Sequence, residues 1–205
     1  MITIVDYGLG NVQAFKNVYK RLGIECRSAS TAGELEGASR VILPGVGAFD
    51  HAMELLDASG MRSTLDNLAL RQGVPVLGIC VGMQILARSS DEGTASGLGW
   101  VEGTVRKFDA GRVAGPLRLP HMGWNDVQPV AASPLFEGLE NDARFYFLHS
   151  YYFQCDRESD SVARAEYGGP FSCVVRSRNI HGVQFHPEKS HHWGTRLLKN
   201  FAELH

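Results

Sequence analysis

The first half of the chain alternates between short segments that favour strands and longer amphipathic segments that favour helices. The strand-like segments are 2–5, 24–27, 40–43 and one that begins at Val74 and leads to Cys80. The helical segments are 12–22, a short one that follows Thr31, one from Phe49 through Leu56, and 61–72. This alternation predicts a parallel sheet that is covered by helices on both faces.

The pattern changes after about residue 88. Residues 88–99 are polar and rich in glycine, so they predict a loop. Closely spaced strand-like runs follow, which favours antiparallel pairing; they are 101–108, 125–130, 144–154, 161–166 and 171–176. Another strand is expected at 180–185 and an amphipathic helix at 193–204. We therefore predict one α/β domain over residues 1–205, a three-layer fold with a mostly parallel central sheet and antiparallel β additions in the C-terminal half.

Composition limits the possible functions. The chain has 205 residues, of which 44% are hydrophobic and 20% charged, as in an ordinary globular domain. Its net charge of −2 gives no electrostatic reason to expect nucleic acid or an anionic membrane surface as a partner. No export signal or membrane-spanning run is visible, and the four cysteines are scattered, so we expect a cytoplasmic protein with reduced thiols. No spacing predicts a metal site, and no cofactor is expected.

Cys80 lies where a predicted strand turns into a helix, with a glycine two residues away on each side. Gly78-x-Cys80-x-Gly82 has the form of a nucleophile elbow, in which small neighbours allow a sharp turn. The positive end of the following helix favours a thiolate there. The alternative is a buried structural cysteine in a tight turn, and this motif alone does not decide between them.

A thiol nucleophile needs a base, and the base needs an acceptor that orients it. His186 and Glu188 supply both at the end of a predicted strand, with Pro187 restricting the backbone between them. Taken alone, this triplet is more often a surface turn that happens to contain these residues.

The glycine-rich residues 44–47 follow the third predicted strand. A loop of this kind at a strand end can direct a backbone N–H toward a developing oxyanion, and the N–H of Val81 would be a second donor. The alternative is an ordinary turn between strand and helix.

Several blocks, taken together, resemble one known family. They are Asp6-Tyr7-Gly8-x-Gly10-Asn11, Pro44-Gly45-Val46-Gly47, Gly78-Ile79-Cys80-Val81-Gly82-Met83-Gln84, Pro120-His121-Met122-Gly123-Trp124-Asn125, His149-Ser150-Tyr151 and His186-Pro187-Glu188-Lys189-Ser190. The chain resembles class I (triad) glutamine amidotransferases, and within them the glutaminase subunits of imidazole glycerol phosphate synthases. The joint match, in order and spacing, is far more specific than any single block.

The resemblance implies a role for each matching position. Cys80 would attack the side-chain amide of L-glutamine, His186 would move the proton, and Glu188 would orient His186. Gly45, Val46 and Val81 would form the oxyanion site. Four residues would hold the substrate; they are Gln84, Glu92, Ser150 and Tyr151.

The resemblance also implies a protein partner. In this family ammonia passes to a (β/α)₈-barrel cyclase subunit of a heterodimer, which makes imidazole glycerol phosphate and aminoimidazole carboxamide ribotide in histidine biosynthesis. The positions that match the surface facing the barrel are Asn11, His121, Met122, Trp124, Asn125 and Lys189. The following residues, 190–194, depart from the pattern expected of the histidine-pathway subunit, which leaves the choice of partner open.

Three functions therefore remain possible at this stage. The first is the glutaminase subunit of imidazole glycerol phosphate synthase. The second is a paralogous glutaminase that supplies ammonia to a sugar amidotransferase in surface-polysaccharide synthesis. The third belongs to another class: a non-catalytic module that binds and regulates the barrel partner. Loss or retention of glutamine use after Cys80→Ala distinguishes the third from the other two.

Overall fold

The computed structural model describes residues 1–109 and 118–204. Its strands, numbered along the chain, are β1 (Ile2–Val5), β2 (Cys26–Ala29), β3 (Val41–Gly45), β4 (Val76–Cys80), β5 (Ser89–Ser90), β6 (Gly103–Lys107), β7 (His121–Asp126), β8 (Gln128–Pro129), β9 (Arg144–His149), β10 (Tyr151–Cys155), β11 (Ser161–Glu166), β12 (Pro170–Ser177) and β13 (Ile180–Val183). The α-helices are α1 (Val12–Leu22), α2 (Ala32–Leu35), α3 (Phe49–Ala58), α4 (Arg62–Asp66), α5 (Val81–Gln84) and α6 (His191–Glu203).

The main sheet has a parallel half and an antiparallel half. The strand order is β2-β1-β3-β4-β13-β12-β10-β6-β5, and the first five strands are parallel to one another. From β13 onward, β12, β10 and β6 pair in antiparallel fashion. A separate antiparallel pair is formed by β7 and β9. The predicted α/β fold, with a parallel core and antiparallel additions in the C-terminal half, is confirmed.

The parallel half places the loops of interest at one edge. Parallel strands have their carboxyl ends on the same side, so the turns after β1, β3, β4 and β13 lie together. The register brings Gly45 beside Cys80 at the end of the β3–β4 pair. The turns that carry Cys80, His186 and the glycine-rich residues 44–47 therefore converge at this edge.

Several predicted boundaries were wrong for identifiable reasons. The second strand begins at Cys26 rather than at Ile24, because the Ile24 N–H still bonds to the Tyr19 carbonyl at the end of α1. The helix expected at 61–72 changes into a π-helical turn at Asn67–Arg71, where Asn179 Nδ2 donates to the Ala69 carbonyl.

Three further differences fall in the C-terminal half of the chain. The run 144–154 is two strands, because the chain bends at Ser150 and β9 and β10 then pair in different sheets. The run expected at 125–130 belongs to two strands: β7 begins earlier, at His121, ends at Asp126 and pairs with β9, whereas β8 pairs with β11. The last helix begins at His191 rather than at Trp193.

Among the described residues, no helix combines the length and apolar character that crossing a membrane requires.

Candidate active site

Cys80 occupies a strained turn. It is the last residue of β4 and has φ 56° and ψ −113°, a left-handed conformation that residues with a Cβ rarely adopt. A Cβ on Gly82 would overlap the Leu43 carbonyl oxygen, and one on Gly78 would lie 2.6 Å from the Gly82 oxygen. The two glycines therefore allow the turn to pack against its neighbouring strand, which is the geometry of a nucleophile elbow.

His186 and Glu188 complete a buried triad with Cys80. The His186 Nδ1 atom lies 2.8 Å from Glu188 Oε1, and the two side chains are 5% and 4% exposed. Cys80 and His186 line the same cavity, and the interaction with Cys80 contributes to raising the pKa of His186. The Ser190 side chain fixes the backbone of this turn, because its hydroxyl donates to the His186 carbonyl at 2.6 Å and accepts from the Tyr146 N–H at 3.0 Å.

The triad favours a protonated His186. Burial lowers the pKa of His186, but hydrogen bonds and charge interactions with Cys80 and Glu188 outweigh burial and raise this pKa to about 10. An imidazolium beside a thiol is the arrangement that stabilises a thiolate. Within the described chain, Glu188 Oε2 has no protein hydrogen-bond partner, so the carboxylate acts on His186 through its other oxygen.

The carboxyl end of β3 is fixed at Pro44 and Gly45, whereas the loop that follows it is exposed at Val46. The Tyr7 hydroxyl donates to the Pro44 carbonyl at 2.7 Å, and a Cβ on Gly45 would lie 2.5 Å from the Gly82 nitrogen. Burial, followed by the charge of nearby Cys80, raises the Tyr7 pKa far above its usual range, so this hydroxyl stays a donor. Val46, in contrast, is 42% exposed. A change of backbone orientation at Val46 would leave the Pro44 anchor intact.

A cavity of about 270 Å³ opens onto Cys80 and His186. Val46 and Val81 of the predicted oxyanion site line it. So do all four predicted substrate-binding residues, which are Gln84, Glu92, Ser150 and Tyr151. Its size suits a small amino acid. Glu92 has a second contact, because its Oε2 accepts from the Phe49 N–H at 2.9 Å at the start of α3. No group of three or more His, Cys, Asp or Glu side chains in residues 1–109 and 118–204 could hold a metal ion.

His149 and His121 form a buried, neutral pair beside the cavity. His149 Nδ1 lies 2.8 Å from the Tyr151 carbonyl, which can only accept, so Nδ1 carries the proton and Nε2 is an acceptor. His121 Nδ1 lies 2.9 Å from that Nε2 and donates to it. Burial lowers the pKa of His121 to about 4; burial first, then the nearby His121 and His186, lowers that of His149 to about 3.

Because these histidines are buried and neutral, we expect the stability of the fold to decrease in acid. Burial lowers the pKa of His181 to about 4 as well, so the unfolded chain binds three more protons than the folded chain as the pH falls below 6.5. The free energy of unfolding should therefore fall by up to about 4 kcal/mol per pH unit between pH 6.5 and 5. His186 adds no slope there, because a raised pKa stabilises the fold fully below 6.5.

Urea unfolding between pH 7.5 and 5 measures this slope. His181→Gln should reduce the slope by about a third, because it removes one of the three buried imidazoles. A stability that is constant from pH 7 to pH 5 would contradict the buried neutral state of these three side chains.

The residues predicted to face a partner divide into two groups. Met122 is 62% and Trp124 38% exposed, and Asn11 and Lys189 are also exposed. Asn125 is half-buried, whereas His121 is only 4% exposed and points into the protein. Of the exposed group, Lys189 lines the cavity, and Met122 is paired across the β7–β9 ladder with Leu148, which also lines it.

Residues 190–194 add aromatic contacts to this surface. His191 stacks on Trp124 with ring centroids 5.2 Å apart, and Trp193 packs edge-on against Trp124 at 6.0 Å. His192 packs on Trp193 instead, so the two adjacent histidines contact different rings.

Sequence reasoning assigned no role to three residues at the site, which are Tyr7, His149 and Gln184; the first two stand in blocks that carry the family resemblance. Gln184 Nε2 lies 3.9 Å from Cys80 Sγ, and Gln184 Oε1 accepts from Gln84 Nε2 at 3.0 Å. A usable signal existed for Gln184, because the sequence predicts a strand at 180–185 and residues two apart in a strand, such as Gln184 and His186, face the same side.

Comparison with known proteins identifies the family. The model of the family "Glutamine amidotransferase class-I" matches residues 3–204, and the chain belongs to this family. It is a glutamine amidotransferase, as its fold and triad indicate.

Highly similar relatives indicate a particular member of this family. The chain is 62% identical to "Imidazole glycerol phosphate synthase subunit HisH" of Bdellovibrio bacteriovorus over 204 residues, with 100% of both chains covered. It is 51% identical to the protein of the same name from Leptospira interrogans, again over 204 residues and 100% of both. A crystal structure described as a glutamine amidotransferase superposes with a TM-score of 0.75 over 98% of this chain and 97% of that one; at 23% identity it supports the fold alone.

Proposed function

We propose that this chain is the glutaminase subunit of an imidazole glycerol phosphate synthase. It hydrolyses L-glutamine to glutamate and ammonia and passes the ammonia to a (β/α)₈-barrel cyclase subunit in a heterodimer. The observation that carries the proposal is the buried Cys80–His186–Glu188 triad at a cavity of about 270 Å³. The names of the relatives at 62% and 51% identity favour this partner over a sugar amidotransferase.

The geometry supports a two-step hydrolysis. The Cys80 sulfur attacks the side-chain amide carbon of glutamine, and the oxyanion receives hydrogen bonds from the Val81 N–H and a donor in the loop of Gly45 and Val46. His186 gives its proton to the departing nitrogen, and ammonia leaves a γ-glutamyl thioester. His186 then takes a proton from water, which attacks the thioester and releases glutamate and Cys80.

Ammonia must leave the site without entering bulk water, because protonation there would destroy its nucleophilicity. Met122 and Trp124 are exposed apolar side chains, and Met122 is paired with Leu148 of the cavity lining. Trp124 and the cavity residue Lys189 both contact the Tyr146 ring. An aromatic and a methionine are the residue types that anchor protein interfaces. We therefore propose that the barrel covers the cavity from this side. The four unpaired cysteines fit the reducing cytoplasm in which such a complex would work.

An intact triad does not fit the alternative of a non-catalytic regulatory module. A module that only binds the barrel would have no use for a strained Cys80 or for a base with a carboxylate behind it.

The proposal predicts glutamine turnover that depends on the partner. Glutamate formation is measured for the isolated chain, for the chain with a cyclase barrel, and for the complex with its ribotide substrate. We expect slow turnover alone and an increase of about tenfold or more in the loaded complex, a size that ordinary coupling free energies supply. Rapid turnover by the single chain that no barrel changes would contradict the proposal.

Two variants locate the surface. Met122→Ala should weaken the stimulation at low barrel concentration, because Met122 is 62% exposed on the proposed face. Leu70→Ala is the matched control, since Leu70 is 54% exposed in the turn before β4, away from the carboxyl edge of the sheet. Equal effects of the two changes would argue against the proposed face.

A further inference from the structure

Gln184 is a fully buried polar residue in direct contact with the nucleophile. Its backbone N–H donates to the Cys173 carbonyl at 2.8 Å, which fixes the chain just before His186. Its side chain lies between Gln84 and Cys80, with Oε1 3.0 Å from Gln84 Nε2 and Nε2 3.9 Å from Cys80 Sγ. A buried carboxamide is expected to have a partner at each end, and here one of those partners is the reacting sulfur.

A single backbone carbonyl determines which way this carboxamide faces. The Tyr151 carbonyl can only accept, and Gln84 Nε2 donates to it at 3.1 Å. The Gln84 nitrogen therefore faces both Tyr151 and Gln184. Gln184 must turn its oxygen toward that nitrogen, so its own NH₂ group points at Cys80. His149 Nδ1 donates to the same carbonyl at 2.8 Å and fixes it from the other side.

The sulfur needs such a donor when it is charged. Cys80 Sγ also lies 3.9 Å from the Leu148 carbonyl oxygen, which can accept a hydrogen bond from a thiol but repels a thiolate. When the proton moves to His186, the Gln184 N–H therefore becomes the favourable neighbour on the buried side of the sulfur. The same holds when the sulfur leaves the thioester in the second step.

We propose that Gln184 is a further catalytic residue, which donates a hydrogen bond to the Cys80 thiolate and is held in that orientation by Gln84 and the Tyr151 carbonyl. This inference rests on the proposed role of Cys80 as the nucleophile. Gln84 then has two tasks, because it lines the substrate cavity and also orients Gln184.

The titratable groups around Cys80 are unchanged in the variants that test this. His186 interacts with the sulfur and Glu188 lies behind His186, while Tyr7 interacts with the sulfur from the β1 side. Glu92, His149, Tyr151 and Lys189 line the cavity. A change at Gln184 therefore reports on the carboxamide itself.

The test is the pH dependence of Cys80 alkylation by iodoacetamide, measured by peptide mass spectrometry in the full-length chain. Gln184→Met keeps the length of the side chain but removes the donor, and Gln184→Asn withdraws the donor from the sulfur. We expect the midpoint of alkylation to rise by about half to one pH unit, which is a reaction about three to ten times slower below the midpoint. The turnover number for glutamine should fall by a similar factor.

Two controls distinguish failure of the Gln184 inference from failure of the proposed function. Cys26, in β2 at the far end of the sheet, should react identically in all variants. If Gln184→Met does not fold, Gln184→Asn alone decides. Midpoints within about 0.2 pH unit of the parent protein in the folded variants would overturn the inference. If Cys80→Ala retained glutamine turnover, the proposed function would fail instead, whatever the alkylation data showed.

Discussion

We expect replacement of Cys80 with alanine to abolish glutamine hydrolysis. Without the sulfur no γ-glutamyl thioester can form, and the remaining groups can only polarise the amide. Removal of the nucleophile from a comparable triad lowers kcat by about 10⁶-fold, so we expect a loss of at least about 10⁴-fold in kcat. The measurement is glutamate release by the complex with its barrel partner at saturating glutamine.

The chain provides a matched control for this change. Cys26→Ala removes a half-buried thiol in β2, far from the site, and should leave turnover within about twofold, as expected of a change outside the machinery. Retention of more than a few per cent of the parent activity by Cys80→Ala would mean that another group performs the attack.

The second large effect is expected at Glu188. Glu188→Gln keeps the size of the side chain but removes the charge that lies 2.8 Å from His186 Nδ1. The imidazolium then loses its stabilising partner, and the amide can present either a donor or an acceptor to the ring, so the tautomer is no longer fixed. The corresponding change in a serine triad lowers kcat by about 10⁴-fold, and we expect a loss of about 10³- to 10⁴-fold here.

Two measurements separate chemistry from folding in this variant. Thermal unfolding should show a native-like transition, because the carboxamide fills the same space. Glu203→Gln, an exposed change near the end of α6, is the control and should have full activity. A kcat for Glu188→Gln within tenfold of the parent would contradict the role of Glu188 as the group that orients and charges His186.

The parts of the site that follow from local sequence were predictable. The spacing of Gly78, Cys80 and Gly82 is the steric requirement of a sharp turn, so it is visible without a structure. His186 and Glu188 are two residues apart, and their meeting also depends only on local backbone. The parallel half of the sheet follows from the alternation of strand-like and helical segments.

The rest depends on contacts between distant positions. Tyr7 and Pro44 are 37 residues apart, and Gln184 and Cys80 are 104 apart. No pattern within a window of a few residues contains such information. The role of Glu92 at the start of α3 has the same origin, since Phe49 precedes it by 43 residues.

One miss was avoidable. In β7 the side chains alternate, so Met122 and Trp124 face solvent while His121 points inward. Starting the strand at residue 125 hid this alternation, so the prediction contained no sign that His121 is buried while Met122 and Trp124 are exposed. A strand predicted from residue 121 would have placed His121 on the buried face and Met122 and Trp124 on the exposed face.

The central claim is that Cys80 generates the ammonia that the partner consumes. The most direct test supplies the reconstituted complex of this chain and a cyclase barrel with either glutamine or an ammonium salt and measures imidazole glycerol phosphate. We predict that the parent complex uses both nitrogen sources, whereas the Cys80→Ala complex makes product only from the ammonium salt, at the parent's rate. Product formed from glutamine by the Cys80→Ala complex would contradict the account.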